Sequence, residues 1–506
     1  MAELMSELCE KGVELIWKQC NEALFPQGLE YLKEAAEKGD AEALFFLGHC
    51  CSWGDGSVGF NDKKAYEYYL AGAQAGSIRC VLGAARAGQY DDRMKRASRY
   101  SLNESFELVA EAAKRGDAFS AYQIAEAFFY EDVYEILPKS ERWAGHCFKW
   151  YEEAGEGGIV KAMRKAGSFC FSGTYTLKNE KRGLYWAEKA AASGDAWGLL
   201  HMGLYTLERQ EFEAAFAYFY AASCQGDETS PFYLGELYMN GLGIEQDFSQ
   251  AAACFEEAAR HENREALLRL GQLYSEETFR DDEKAYYWYS RAYGCGKKEA
   301  GLALARFCLA PGEHRDLQKA ESLLTEYASE DNHWADQKEA CLLLGQMYEG
   351  QTEGMPETDW NRAVEYYERG AAQGSEMCKE RLGRLYFEGE TVAQDYDRAF
   401  LFLQECREKG LLQDALPLAF LYQNGYGCEK DERKAAELYL EAANKEKNKD
   451  AYYELGKLYE RGEQIPQDLE QAVDYYRQAA LYGHDGARKC LSHFKRNFFG
   501  KWKRVR

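Results

Sequence analysis

One block of residues recurs along this chain, and its spacing leaves little choice of fold. A small residue is followed by an aromatic pair three and four positions on, and by glycine seven positions after the pair. The block reads Ala65–Tyr68–Tyr69–Gly76, Ala285–Trp288–Tyr289–Gly296, Ala363–Tyr366–Tyr367–Gly374 and Ala472–Tyr475–Tyr476–Gly483. The closing positions are Gly39, Gly76, Gly116, Gly158, Gly194, Gly226, Glu262, Gly296, Asp331, Gly374, Gly410, Glu446 and Gly483, a mean step of 37 residues. About nine residues after each closure stands a second column of Gly or Ala, as in Leu234–Gly235–Leu237–Tyr238, Leu382–Gly383–Leu385–Tyr386 and Leu455–Gly456–Leu458–Tyr459.

Both blocks have helical spacing. Ala451, Leu455, Leu458 and Tyr459 fall on one face of an α-helix, and so do Ala472, Tyr475, Tyr476 and Ala479. Each unit is therefore a helical hairpin. The column glycine sits mid-helix, where it costs ~1 kcal/mol relative to alanine, so it predicts a close approach between helices. The closing glycine ends the second helix in a left-handed turn. Neither helix buries its aromatic face alone; stacking on the next hairpin does. The expectation is an all-α, right-handed superhelical α-solenoid of about twelve helical hairpins of roughly 37 residues. Residues 1–40 read as an N-terminal helical cap or first hairpin, 41–484 as the array, and 485–506 as a capping helix with a basic-aromatic tail. Gln89 to Leu102 and Glu131 to Arg142 read as insertions. Asn332 to Lys338 reads as another, in a unit without a closing glycine, and is predicted to be the earliest proteolytic nick.

Charge and cysteine usage narrow the function. The net charge of −23 opposes broad binding to nucleic acid or anionic lipid. No apolar run approaches the ~18 residues of a membrane span. Met1 to Glu10 carries three glutamates and no base, unlike a secretory signal, so a cytoplasmic location is expected. The sixteen cysteines, with no CxxC, read as reduced, buried thiols.

The residues that tempt toward chemistry fail on spacing. Gly294–Cys295–Gly296–Lys297–Lys298 lacks the first glycine and the Ser/Thr of a phosphate loop. His261–Glu262–Asn263–Arg264–Glu265 lacks the second histidine of a zinc helix and lies at a hairpin junction. Gly48–His49–Cys50–Cys51 has no spaced second pair. Gly241–Leu242–Gly243 and Gly425–Tyr426–Gly427 follow no strand, so neither is a dinucleotide fingerprint. No catalytic residue, cofactor or metal is expected.

The repeat resembles the Sel-1-like repeat family, a relative of the tetratricopeptide repeat. Leu234–Gly235–Tyr238–Gly241–Gly243–Asp247–Ala251–Ala258–Ala259 and Leu421–Tyr422–Gly425–Gly427–Asp431–Lys434–Ala435–Tyr439–Ala442–Ala443 carry the resemblance. Gly389–Asp395–Ala399 and Gly462–Asp468–Ala472 match without the second loop glycine. The resemblance implies a non-catalytic scaffold or adaptor for protein partners. Exported, cysteine-rich members of the family are linked to β-lactam binding or hydrolysis. They carry a regular cysteine pair that this chain lacks, so a β-lactam-binding or hydrolysing protein stands as an alternative, as does a purely structural scaffold.

Two surfaces are candidates for a partner. In tetratricopeptide relatives, the stripe beside the column glycine lines the concave face. Here it reads Glu236, Met239 and Asn240; Gln272 and Ser275; Gln346 and Glu349; Arg384, Phe387 and Glu388; Gln423 and Asn424; Lys457 and Glu460. Its amides suit the backbone of an extended or helical peptide. The second surface is the C-terminus. After Asp485 there are eight bases and no acid, which leaves −31 on residues 1–485. Ala487, Leu491 and Phe494 predict a capping helix from Asp485 to about Phe494. The tail beyond it, with Lys495, Arg496, Lys501, Trp502, Lys503 and Arg504, is expected to engage acidic protein surface, a partner's or the array's own, with anionic membrane and nucleic acid as the competing readings.

Overall fold

The computed structural model describes residues 5–18, 24–53, 59–87, 101–131, 136, 145–329, 334–350, 358–497 and 501–504. The described chain is a succession of helical hairpins closed by one small β-hairpin. It divides into two compact units, residues 1–288 and 289–506, with the division inside one helix. Odd-numbered helices are the first of each hairpin and even-numbered helices the second.

The first unit contains α1 (Glu7–Val13, extended by a π-turn, Glu14–Lys18) and α2 (Phe25–Glu37), then α3 (Ala41–Trp53) and α4 (Asp62–Gln74). There follow α5 (Ile78–Ala87) and α6 (Leu102–Lys114), α7 (Ala118–Phe129) and α8 (His146–Glu156), α9 (Val160–Ser172) and α10 (Glu180–Ala192). The unit continues with α11 (Ala196–Glu208) and α12 (Phe212–Cys224), α13 (Ser230–Asn240) and α14 (Phe248–Arg260), and α15 (Arg264–Leu273). The division falls within α16 (Asp282–Gly294). The second unit holds α17 (Ala300–Leu309) and α18 (Leu317–Ser329), α19 (Trp334–Tyr348) and α20 (Trp360–Ala372), α21 (Glu376–Glu388) and α22 (Tyr396–Glu408). It ends with α23 (Leu416–Asn424) and α24 (Glu432–Glu446), α25 (Lys449–Arg461) and α26 (Leu469–Leu481), and α27 (Asp485–Ser492).

Each hairpin is built from the same few contacts. The aspartate that follows the loop glycines caps the second helix. Asp247 accepts from the Ser249 and Gln250 amides at 2.8 and 3.0 Å, and Asp431 and Asp468 repeat the cap on α24 and α26. The same residue's N–H donates back to a first-helix tyrosine carbonyl, Asp247 to Tyr238 and Asp468 to Tyr459, each at 3.0 Å. Two hydrogen bonds thus set the turn between the helices. The second loop glycine has another function: a Cβ on Gly243 or Gly427 would strike the backbone at the start of the preceding second helix, at Phe212 and Tyr396.

The column glycine admits the second helix closely by seating one of its side chains, most often a ring and at Gly383 Leu403. A Cβ on Gly235 would lie 2.6 Å from the Phe255 ring, and one on Gly48 2.7 Å from the Tyr69 ring. Gly456 and Tyr476 repeat the arrangement at 2.6 Å. The aromatic pair is accordingly unequal: Tyr69, Tyr367 and Tyr476 are buried, while Tyr68, Tyr366 and Tyr475 are half-buried. The left-handed closure also survives without glycine. Glu262 adopts φ +61°, and in the unit read as closing at Glu446 it is Lys447, one residue late, that adopts φ +53°. Asp331 lies outside the described residues, as do most of Gln89 to Leu102 and Glu131 to Arg142. Trp334 to Lys338, expected in a third insertion, instead begin α19, with Gln337 buried and donating to the Ala328 carbonyl at 3.0 Å.

In the first unit a continuous core runs from Cys9 to Ala190. Trp17, fully buried, packs on Phe46 at 4.9 Å and His49 at 5.7 Å, with Lys161 over its ring. Arg79 joins three consecutive first helices, pairing with Glu42 of α3 at 2.7 Å and with Asp117, the N-cap of α7, at 2.6 Å. Burial alone would raise the Asp117 carboxyl, but the Arg79 guanidinium and the Ser120 contacts outweigh it and hold it below its ordinary value.

The C-terminus corrects the expectation of a helix reaching Phe494. α27 stops at Ser492, and Phe494 instead begins β1 (Phe494–Arg496), which pairs antiparallel with β2 (Trp502–Arg504). Alternation is the reason. Phe494 and Arg496 face the body together with their partners Arg504 and Trp502, so Phe494 is buried against Tyr476. A continued helix would have turned these residues to different sides.

Candidate protein-interaction face

The first helices present one face to the next element and another outward, and the stripe read from the sequence falls into two groups. The position four residues after the column glycine meets the second helix's seated side chain. In three repeats that side chain is tyrosine and the position is polar and turned inward. Tyr367 donates to Glu349 at 2.6 Å, Tyr439 to Gln423 at 2.7 Å and Tyr476 to Glu460 at 2.7 Å. Where the side chain is Phe255 or Leu403, the position is apolar: Met239 and Phe387. An unpaired buried hydroxyl is costly, so tyrosine requires an acceptor and phenylalanine does not.

Glu349 and Gln423 are therefore buried, which corrects their place on an outward stripe. Glu349 also binds the Arg381 guanidinium, with Nε at 3.0 Å, and Gln423 donates to Glu454 at 3.2 Å. Glu460 is mostly buried, paired with Arg504 of β2 at 2.9 Å. In the second unit Arg384 pairs with Asp414 at 3.1 Å, and Lys457 pairs with Glu454 at 2.8 Å. In the first unit Glu236 pairs with Arg269 at 2.6 Å, and Arg269 donates to Gln272 at 2.8 Å. Lys457–Glu454 and Arg269–Gln272 lie within one helical turn, whereas the ties Glu349–Arg381, Arg384–Asp414, Gln423–Glu454 and Glu236–Arg269 span one repeat, between residues 30 to 33 apart in sequence. Reading the sequence at that offset, base against acid, would have found them.

The remaining stripe residues face outward. In the first unit Met239 is half-buried, and Asn240 and Ser275 are exposed, each bonded to its own helix backbone at 2.8 Å. In the second unit Gln346 lines a cleft of about 140 Å³ with Leu342, Met377, Arg384 and Gln413. Glu388 and Asn424 are exposed. Phe387 belongs to an aromatic group that the sequence reading missed. Phe387 meets Phe420 edge-on at 5.4 Å, and Tyr396 stacks on Tyr426 at 4.8 Å and 6°. Tyr396 and Tyr426 also contact the two phenylalanines at 6.1 and 6.0 Å. Phe387, Phe420 and Tyr396 are half-buried, and Tyr426 is 43% exposed. Its parts lie at a first-helix end, a second-helix start and a loop of successive repeats, so only the fold assembles it.

Among the described residues no three His, Cys, Asp or Glu side chains group to hold a metal, and no helix is long and apolar enough to cross a membrane. The fifteen described cysteines are free thiols, and burial pushes Cys341 and Cys378 up to about 11.

The Sel1 repeat profile matches residues 25–40, 41–77, 119–159, 160–195, 198–227, 232–263, 264–297, 338–375, 378–410, 418–446 and 449–484. The unmatched stretches 78–118 and 298–337 contain the hairpins α5/α6 and α17/α18. Over 472 residues the chain is 24% identical to the ERAD-associated E3 ubiquitin-protein ligase component HRD3B of Arabidopsis thaliana, covering 91% of this chain and 70% of that protein. It is 26% identical over 164 residues to chitin synthase regulatory factor 3 of Schizosaccharomyces pombe, covering 31% of this chain and 18% of that protein. Among solved structures it is similar to a protective antigen of uropathogenic Escherichia coli displaying an SLR fold. There the TM-score is 0.61 at 21% identity, over 91% of this chain and 97% of the antigen. Hairpins of one design, repeated with the same caps and ring seats and matched by eleven profile hits over most of the sequence, establish that this chain belongs to the Sel1 repeat family.

Proposed function

We propose that this chain is a non-catalytic protein-interaction scaffold that holds an extended or helical segment of a protein partner on its first-helix face. The observation that carries the reading is the aromatic group of Phe387, Phe420, Tyr396 and Tyr426. Packing within the hairpins does not need these rings half-exposed, and aromatic residues dominate the energetics of protein interfaces. In the second unit Gln346 and Asn424 supply amides for a partner's backbone; Asn240 and Gln272 are the matching stripe amides of the first unit. Relatives named as a ligase component and a regulatory factor support a partner-binding role. The free thiols favour a cytoplasmic setting.

Affinity capture from the native cell, with mass spectrometry of the eluate, tests the reading. The double variant Phe387→Ala/Phe420→Ala is expected to lose the partner that the wild-type chain retains, with the circular-dichroism melt unchanged. The triple variant Asn240→Ala/Gln272→Ala/Gln346→Ala is expected to weaken it. Identical capture by all three proteins refutes this placement.

A further inference from the structure

The β-hairpin sorts the C-terminal bases into two sets. On its inner face every cation has a partner. Arg504 pairs with Glu460 at 2.9 Å, and Arg496 lies over the Trp502 ring at 5.0 Å, opposite Arg477 of α26 at the same distance. Phe494 is buried beneath them. The outer face is different. Lys495 stands directly opposite Lys503, both exposed. The Asn497 N–H donates to the Lys501 carbonyl at 2.8 Å, which continues the ladder and puts exposed Lys501 on the same side. None of these three ammonium groups has an acidic partner among the described residues. Like charges directly opposite on a sheet are destabilising, so the arrangement carries a cost that a bound anion removes.

We propose that the outer face of this hairpin, Lys495, Lys501 and Lys503, docks an extended acidic segment of a partner protein. Lys501 and Lys503 are two residues apart on one strand, about 7 Å. Carboxylates on alternate residues of an extended peptide repeat at the same distance. The hairpin's attachment selects against larger polyanions. Its inner face is packed on α26, so a bilayer or duplex that spread beyond the lysines would meet the second unit, whose residues 289–485 carry −14. Within the ~8 Å Debye length that charge repels an extended anionic surface, whereas a single peptide strand avoids most of it.

The test titrates the full chain into a fluorescein-labelled peptide of about ten residues with glutamate at every second position, read by anisotropy at low salt. Saturable binding that weakens with added salt is expected. Lys495→Ala/Lys503→Ala should weaken it about tenfold, the effect of ~1.4 kcal/mol. Lys495→Arg/Lys503→Arg should retain it, and Lys178→Ala/Lys181→Ala, equally exposed in the first unit, should leave it unchanged. Phe387→Ala/Phe420→Ala should also leave it unchanged, which separates this site from the first-helix face. The melting temperature of Lys495→Ala/Lys503→Ala should equal or exceed wild type, because a repulsion is gone. The proposal is overturned by an absence of saturable binding, by an alanine variant that binds as wild type, or by an arginine variant that fails. It is equally overturned if phosphatidylserine vesicles or oligothymidylate bind through these lysines more tightly than the peptide.

Discussion

At the scale of single residues, two positions test the repeat's backbone logic. Gly235 has no room for a methyl group, because the Phe255 ring occupies that space at 2.6 Å. Gly235→Ala is expected to destabilise by about 2 kcal/mol, since an overpacked core shifts side chains or backbone. Glu262 presents the opposite case. It holds φ +61° where most closing positions have glycine, and a side chain in that region costs about 1 kcal/mol. Glu262→Gly should therefore stabilise by about that amount. Urea denaturation of the two variants checks both signs.

At the scale of elements, ties between neighbouring first helices decide how firmly the hairpins stack. Arg79 is central in the first unit because it serves Glu42 and Asp117 together. Arg79→Ala strands two largely buried carboxylates, with an expected loss of about 3 kcal/mol. The pair also has a pH signature. Asp117 has a depressed value in the folded state, so its stabilisation is present above the unfolded value near 4 and is lost as pH falls through the folded one. Urea midpoints for the wild-type chain should fall from pH 5 toward pH 3, and Arg79→Ala should flatten that slope. In the second unit, Glu349→Ala removes the acceptor of Tyr367 and the partner of Arg381 together. A similar loss of about 3 kcal/mol is expected, measurable as a lowered melting temperature.

At the scale of the whole molecule, stability is a sum of hairpin terms and interface terms. The described helices pair into thirteen hairpins, one more than the roughly twelve expected, including two that the family profile passes over. The weakest junction should open first, and Asn332 to Lys338, in the unit without a closing glycine, remains the expected first tryptic cut, although its one cleavable bond follows Lys338 inside α19, so the start of that helix must open first. Digestion that starts only at the termini would remove that expectation. The two proposed surfaces differ in chemistry: aromatic and amide groups on the first-helix face, and lysines without an acidic partner among the described residues on the terminal hairpin.

Local pattern was enough for the helices and their ends. The helical offsets of Ala472, Tyr475, Tyr476 and Ala479, and a glycine or aspartate at each turn, depend on residues a few positions apart, which a sequence displays directly. The column at Gly235 and Gly456 was legible as a constraint, although only the neighbouring helix shows that a ring fills the space. The site was less legible, because facing outward is decided across elements. Glu349 and Asn424 look alike as polar stripe residues, yet Tyr367 draws the first inward while the second, exposed, donates to the Phe420 carbonyl of its own helix at 2.9 Å. Phe387, Phe420, Tyr396 and Tyr426 come from three helices and a loop, and no spacing within one helix predicts that they meet. The terminal bases likewise read as a charged tail until strand pairing put Arg496 and Arg504 against the body and left Lys495, Lys501 and Lys503 facing outward. Sequence by itself determined the hairpins, their period and their caps, since those follow from backbone geometry and hydrophobic spacing. Tertiary structure alone decided which polar and aromatic side chains remained for a partner, because burial is a property of neighbours distant in the chain.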